Sequence, residues 1–112
     1  MNKSTNKSTI LLEAINNAAG ICGVSKTELT NIIGLSGREN IVRLTKEQND
    51  RAILFIRLHE LLYCQFSGNT EQIQLWLRGH NKGTDGVPAE QIKNREGLVT
   101  VIEYLNHYVN KV

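Results

Sequence analysis

The feature that most constrains this chain is the spacing of its apolar residues, which repeat with the period of an α-helix along almost its whole length. No segment alternates apolar and polar residues as a half-buried strand does. The longest helical segment runs from Thr45 to about Phe66, and its apolar residues cover more than one face, so other helices are expected to pack around it. For a chain of 112 residues, this pattern predicts an all-α fold with a modest core.

Residue pairs typical of helix ends divide the chain further. Ser25 and Glu28 form one capping-box pattern, and Thr45 and Gln48 form a second. Thr9 suits the start of a first helix, which Gly20 and Gly23 are expected to break, and Gly34 suits the end of the helix that Ser25 begins. The resulting predicted regions are a flexible polar arm at residues 1–8, a helix-turn-helix-like region at 9–44 and a second helical region at 45–112.

Composition and charge exclude several classes of protein. The net charge is +2 and 21% of the residues are charged, which is below the charge density of a dedicated nucleic-acid coat. The polar first residues do not resemble a signal peptide, and no run of eighteen apolar residues occurs, so no membrane span is predicted. Cys22 and Cys64 lie in separate apolar contexts, which indicates reduced, buried thiols in a cytoplasmic protein.

The titratable residues form no recognisable catalytic or metal-binding pattern. His59, His80 and His107 are widely separated, and neither cysteine accompanies a histidine in a known motif. The glycines between positions 79 and 86 lack the G-x-G-x-x-G order and a preceding strand. The sequence therefore predicts no enzyme activity, no metal site and no cofactor.

Two short helical segments joined by "GLSG", residues 34–37, have the layout of a helix-turn-helix, whose second helix can enter a major groove. One small recognition helix with few basic residues binds weakly alone, so operator binding is predicted to need a dimer or higher assembly. The alternative is a helical hairpin that serves only as core or dimer surface. The predicted DNA-binding residues, chosen for contacts with base edges and phosphates, are Lys26, Ser36, Arg38, Asn40 and Arg43.

The segment from Trp76 to Leu98 contains the only Trp, the only Pro and four of the nine Gly residues. Trp76 is predicted to anchor a short helix on the long one. Gly79 and Gly83 are predicted to allow backbone angles that other residues avoid. Pro88 suits the first turn of a short helix. We interpret the segment as a rigid connector between helices.

Four adjacent polar residues in this connector have no evident structural role. They are Arg78, His80, Asn81 and Lys82. A stiff loop often displays the groups that bind a partner, so these residues are candidates for a binding surface. The alternative is a solvated loop without a partner.

The ordered pattern of the second half resembles the toxin-binding domain of the Xre/MbcA/ParS antitoxin family. The shared features are a long apolar helix, a short helix ending in Trp-Leu, an Asn, a Gly-x-Pro turn and a Gly before a final amphipathic helix. In the first half, "SKTELTNIIGLSGRENIVRL" resembles the Xre-like repressors, with Asn40 where they usually carry an apolar residue. The second-half pattern is carried by Trp76, Leu77, Asn81, Gly86, Pro88, Gly97, Val101 and Leu105.

The resemblance implies a type II antitoxin that neutralises a RES-type, NAD-consuming toxin and represses its own operon. The alternatives are a stand-alone DNA-binding transcriptional regulator without a toxin partner, and a scaffold or dimerisation protein that binds no DNA. The resemblance also implies that the C-terminal end approaches the substrate site of the toxin. With charge and hydrogen-bonding capacity also considered, the predicted toxin-binding residues are Arg78, Asn81, Lys82, Tyr104, Tyr108, Lys111 and Val112.

Overall fold

The computed structural model describes residues 3–35 and 44–109. Within these residues the regular elements are helices, which confirms the all-α fold that the periodicity predicted. The helices are α1 (Lys3–Cys22), α2 (Lys26–Ile33), α3 (Lys46–Gln65), α4 (Thr70–Arg78), α5 (Pro88–Gln91) and α6 (Arg95–Val109).

Helix α3 is the centre of the fold, as its wide apolar surface predicted. It packs against α1, α2, α4 and α6, and most extensively against α6. Its inner face includes Ala52, Phe55, Leu58 and Leu62, each fully buried. Burial of a large side chain such as Phe55, Leu58 or Leu62 contributes about 1.5 to 3 kcal/mol to stability, so this helix supplies much of the hydrophobic stabilisation.

The other helices each add an apolar stripe to the same core. In α6, buried residues recur at the spacing of one helix face, as expected from the sequence. The buried residues of α6 are Leu98, Val101, Ile102 and Leu105, and those of α1 are Ile15, Ala18, Ala19 and Cys22.

The ends of the helices follow the predicted capping signals. The Ser25 hydroxyl accepts a hydrogen bond from the Glu28 N–H, and the Glu28 carboxylate accepts one from the Ser25 N–H, both at 3.1 Å. Thr45 and Gln48 form the same reciprocal pair at the start of α3. Gly34 ends α2 in the left-handed conformation, with φ of 87°. Both predicted capping boxes are therefore confirmed.

Helix α1 differs from the prediction at both of its ends. It begins at Lys3, whereas the sequence predicted a flexible arm over residues 1–8 and a helical start at Thr9. Adding polar residues to an existing helix avoids the cost of nucleation, which explains the earlier start. Gly20, expected to break the helix, lies inside it, and the chain turns at Gly23, with φ of 67°.

Candidate functional site

The connection between α4 and α5, residues 79–87, is a hydrogen-bonded turn. The Asn81 N–H donates to the Gly86 carbonyl at 2.8 Å, and the Gly86 N–H donates to the Asn81 carbonyl at 3.2 Å. The Asn81 side-chain oxygen also accepts a hydrogen bond from the Thr84 N–H at 3.0 Å. These bonds close the loop on itself, which agrees with the interpretation of the segment as a rigid connector.

Helix α5 supports this turn from the inner side. Pro88 begins α5, as predicted, and is buried. The Gln91 side-chain NH₂ donates to the Thr84 carbonyl at 2.6 Å, and Thr84 is only 5% exposed. This contact of Gln91 is not predictable from the sequence, because one glutamine in a short helix carries no local signal of a tertiary contact.

Gly97 shows how closely α5 and α6 approach each other. A Cβ at this position would overlap the backbone carbonyl of Gln91. Only glycine fits this crossing without moving the backbone. The Asn94 side chain caps α6 by accepting a hydrogen bond from the Gly97 N–H at 2.8 Å, which places the first turn of α6 against α5.

Three aromatic side chains, Trp76, Tyr104 and Tyr108, form a row across α4 and α6. The ring centroids of Trp76 and Tyr104 are 6.3 Å apart with the planes 18° from parallel. Those of Tyr104 and Tyr108 are 4.7 Å apart. Trp76 was expected to anchor α4 on the long helix, but its aromatic partner is Tyr104 on α6. This aromatic row becomes more exposed towards its end, where Tyr108 is 49% exposed.

Gly79 and Gly83, in the loop, do not adopt the special backbone angles that the sequence predicted. Gly79 has an extended conformation that any residue adopts, with φ of −96°. Gly83 lies beneath the Tyr104 ring, which a Cβ would overlap. Among the non-glycine residues described, Asp85 is one that takes a left-handed φ, of 56°. The prediction was therefore wrong for Gly79 and also for Gly83, whose φ does not lie in the left-handed region; a glycine is needed at position 83 because of the contact with the Tyr104 ring.

The structure brings three of the predicted toxin-binding residues together. Burial and then a hydrogen bond with the Tyr108 side chain raise the pKa of Tyr104, while a hydrogen bond with Asn81 acts in the opposite direction. The aromatic row therefore adjoins the folded loop. Lys82, next to Asn81, is exposed. The result is a fixed surface with aromatic, amide and cationic groups.

Arg78, another predicted toxin-binding residue, binds the first half of the chain. Its guanidinium donates to both carboxylate oxygens of Glu28, at 2.7 and 2.9 Å, and to the Gly23 carbonyl at 2.7 Å. The hydrogen bonds from Arg78 are the main cause that lowers the pKa of Glu28 to about 2. The Arg78 side chain nevertheless remains 43% exposed. Arg78 thus joins α4 to α2 and to the end of α1.

Arg51 of α3 makes a second connection to α2 that the sequence did not reveal. Its guanidinium donates to the carbonyls of Asn31 and Ile32, both at 2.8 Å, and to that of Lys93 at 3.2 Å. Carbonyls at the end of a helix lack partners within the helix, and a cation there is favourable. Helix α2 is therefore held at both ends by arginines from the second half of the chain.

The predicted DNA-binding residues are described only in part. Lys26 is exposed in the first turn of α2. The positive charge of its side chain and the N-terminus of the helix would both favour a bound phosphate. The predicted second helix of the helix-turn-helix lies outside the described residues. So do the predicted site residues Ser36, Arg38, Asn40, Arg43, Lys111 and Val112.

The described cysteines and histidines do not form a reactive cluster. Cys22 is buried, whereas Cys64 is exposed, so the prediction of buried thiols was wrong for Cys64. Burial raises the pKa of the Cys22 thiol to about 12 and lowers the pKa of His59. Residues 3–35 and 44–109 contain no group of three or more His, Cys, Asp or Glu residues placed to hold a metal ion. Over the same residues, no helix combines the length and apolarity needed to cross a membrane.

Residues 60–108 match the family model described as the antitoxin Xre/MbcA/ParS C-terminal toxin-binding domain. The matched segment includes the second part of α3 and most of α6, and so contains Arg78, the folded loop and the aromatic row. No curated protein matches the chain. Residues 60–108 are therefore similar to the toxin-binding domain of the Xre/MbcA/ParS antitoxins, which confirms the resemblance that the ordered pattern around Trp76, Asn81 and Pro88 indicated.

Proposed function

We propose that this protein is the antitoxin of a type II toxin–antitoxin pair and that it neutralises a RES-type, NAD-consuming toxin. The observation that carries the proposal is the coincidence of the matched toxin-binding domain with a preformed surface of loop and aromatic residues. The protein acts by binding in the cytoplasm, where the toxin and its substrate meet, and catalyses no reaction itself.

The chemistry of this surface suits a protein partner. Aromatic and arginine side chains are the usual anchors of an interface, and the aromatic row ends in the half-exposed ring of Tyr108. The hydrogen bonds of the loop mean that little conformational entropy is lost on binding. The surface therefore has the two properties that favour tight association, an anchor and a fixed shape.

The charges suit a toxin whose active site accepts an anionic dinucleotide. Lys82 is exposed beside Asn81, and Arg78 keeps part of its guanidinium accessible while it binds Glu28. Cations at the mouth of an anion-binding pocket gain from charge complementarity. The proposed contact residues are Arg78, Asn81, Lys82, Tyr104, Tyr108, Lys111 and Val112.

The first half of the chain is proposed to repress the operon. Lys26 is exposed at the start of α2, and Ser36, Arg38, Asn40 and Arg43 would supply further contacts with bases and phosphates. A dimer or higher assembly presents two such units to an operator and so raises the affinity above that of one unit.

Copurification tests the antitoxin proposal. The full chain is co-expressed with the product of the adjacent gene, with an affinity tag on only one of the two proteins. The expected result is a stable complex, together with restored growth of cells that express the toxin. A neighbouring RES-type protein that neither copurifies with this chain nor is neutralised by it would overturn the proposal.

A further inference from the structure

Helix α4 carries a large apolar side chain on the side that points away from the core. Ile73 and Leu77 attach this helix to the core and are almost completely buried. Leu75 lies two residues from each of them, and a separation of two residues turns a helix by about 200°. Leu75 is accordingly 62% exposed. Its apolar character therefore contributes little to the packing of α4 on the core.

The two sides of α4 next to Leu75 carry parts of the proposed toxin-binding surface. Arg78 lies on the side that faces α2, where it binds Glu28. Trp76 lies on the other side, where its ring stacks on Tyr104 of α6. A helix turns by about 100° per residue, which places Arg78 about 60° to one side of Leu75 and Trp76 about 100° to the other. Leu75 thus lies between Arg78 and the aromatic row.

We propose that Leu75 is the central contact of this chain with its toxin and that it enters an apolar pocket on the toxin surface. One partner that contacts both Arg78 and the aromatic row has to cover the outer side of α4, because Leu75 lies between them. The whole of α4 also lies within the matched residues 60–108. This inference rests on the proposed function and adds the chemistry that the toxin has to present at this point.

The composition of the enlarged surface agrees with that of a protein interface, which has an apolar centre and a polar rim. Leu75 supplies the centre, and the cationic side chains of Arg78 and Lys82 supply parts of the rim. Single exposed leucines are common on protein surfaces, so the exposure of Leu75 alone assigns no contact. Its position between two groups of proposed contact residues makes the assignment.

Helix α4 holds Leu75 in place before a partner arrives. Asn69 caps the start of the helix by accepting a hydrogen bond from the Gln72 N–H at 3.0 Å. The Gln74 side-chain NH₂ donates to the Ile21 carbonyl at 3.2 Å, which fixes the helix against the end of α1. An apolar group on a fixed helix loses little conformational entropy when it is buried by a partner.

Polar substitution of the full chain tests the assignment by calorimetric titration with the purified toxin of the adjacent gene. Leu75→Gln should weaken binding by about tenfold or more, because the exposed apolar surface of a leucine is no longer buried. Leu75→Met keeps the apolar character and the approximate volume, and it should bind like the parent. Leucine, glutamine and methionine have similar helix propensities, so α4 is expected to form in both variants.

Ile10→Gln is the matched control, because Ile10 is 66% exposed and lies on α1. Ile10 is eleven residues before Ile21, or about 16 Å along the helix from the place where α1 contacts Gln74. This variant should bind the toxin with the affinity of the parent. The urea midpoint of each variant is measured as well, and that of Leu75→Gln should equal the midpoint of the parent.

Photo-cross-linking gives a second measurement that does not depend on affinity. The photoreactive residue p-benzoylphenylalanine is introduced at position 75 and, in a separate chain, at position 10. Irradiation of the mixture with toxin should join the chain to the toxin from position 75 and not from position 10. A product that joins two copies of this chain from position 75 would assign the outer side of α4 to self-contact and overturn the proposal.

The results separate this inference from the antitoxin proposal. Equal binding of the toxin by the parent and Leu75→Gln would overturn the role of Leu75 and leave the antitoxin proposal intact. Weak binding by Leu75→Met would exclude an apolar pocket that accepts either side chain, and a lowered urea midpoint of Leu75→Gln would assign the leucine to the fold. Either result would also overturn the inference. A toxin that does not bind even the parent chain would defeat both proposals together.

Discussion

The Arg78 guanidinium holds the Glu28 carboxylate through two hydrogen bonds, at 2.7 and 2.9 Å, across 50 positions of the chain. Glu28 also completes the capping box of α2 with Ser25, so one carboxylate both starts a helix and joins the two halves of the protein. Any contribution of Arg78 to partner binding therefore has to be measured separately from its contribution to this connection.

The first prediction concerns pH. Arg78 and Ser25 lower the pKa of Glu28 from 4.5 to about 2 in the folded state, so their effect on stability is fully present above pH 4.5 and is lost as the pH falls towards 2. Because the pair is partly exposed and therefore screened by solvent, we expect a loss of about 0.5 to 1 kcal/mol. Urea unfolding at a series of pH values measures it. Glu28→Gln should show a shallower decline, and equal slopes for the two proteins would contradict the prediction.

A second prediction separates the two roles of Arg78. Arg78→Ala combined with deletion of residues 109–112 should keep the helical circular dichroism spectrum but abolish rescue of cells that express the toxin. Glu28→Gln is the control, because it weakens the connection to α2 while leaving the Arg78 side chain in place, and it should still rescue. Full rescue by the truncated variant at matched expression would show that these residues are not toxin contacts.

The third prediction concerns the end of the aromatic row. Tyr108→Ala removes a ring that is 49% exposed, and it should weaken toxin binding by about 1 to 3 kcal/mol if Tyr108 is an anchor. Tyr63→Ala, on α3, is a matched control because its ring is also 49% exposed. Calorimetric titration with purified toxin measures both. Equal affinities for the two variants would remove Tyr108 from the interface.

Gly97 provides a prediction about stability. Gly97→Ala forces a Cβ against the Gln91 carbonyl, so α5 and α6 have to separate, and we expect a loss of about 2 kcal/mol or more. Gly20→Ala is the control, since a Cβ there meets nothing within 4 Å inside α1 and should stabilise the protein by about 0.5 to 1 kcal/mol. Thermal unfolding of the two variants measures both changes in stability. Unchanged stability of Gly97→Ala would show that α5 and α6 do not cross as closely as described.

The fifth prediction concerns operator DNA. Replacing Arg38 and Arg43 together by Ala should weaken binding to the promoter of the operon and make the affinity less dependent on salt, because fewer counterions are released. Glu103→Arg, which changes an exposed charge on α6, should have little effect on specific binding. Gel-shift measurements at several salt concentrations test this. Unchanged retention by the double variant would reject the assignment of both arginines.

The sequence by itself determined most of the helices and the ends that carry a capping pattern, because these depend on neighbours along the chain, whereas both ends of α1 differ from the prediction. The capping boxes at Ser25 and Thr45 were predictable, since each needs only a residue pair three positions apart. The buried stripe of α6 followed from its period in the same way. The ordered pattern of Trp76, Asn81 and Pro88 also indicated the family that residues 60–108 match.

Only the tertiary structure decided which side chains meet across the helices. From the sequence, Arg78 is a candidate for partner binding, whereas in the structure it binds Glu28. Arg51 has no local signal in the sequence, although it binds the carbonyls at the end of α2. Tyr104 and Gly83 are likewise related only because α6 packs against the loop. Hydrogen bonds within a turn of helix are encoded by adjacent residues, whereas these contacts depend on how the helices pack, which local spacing does not specify.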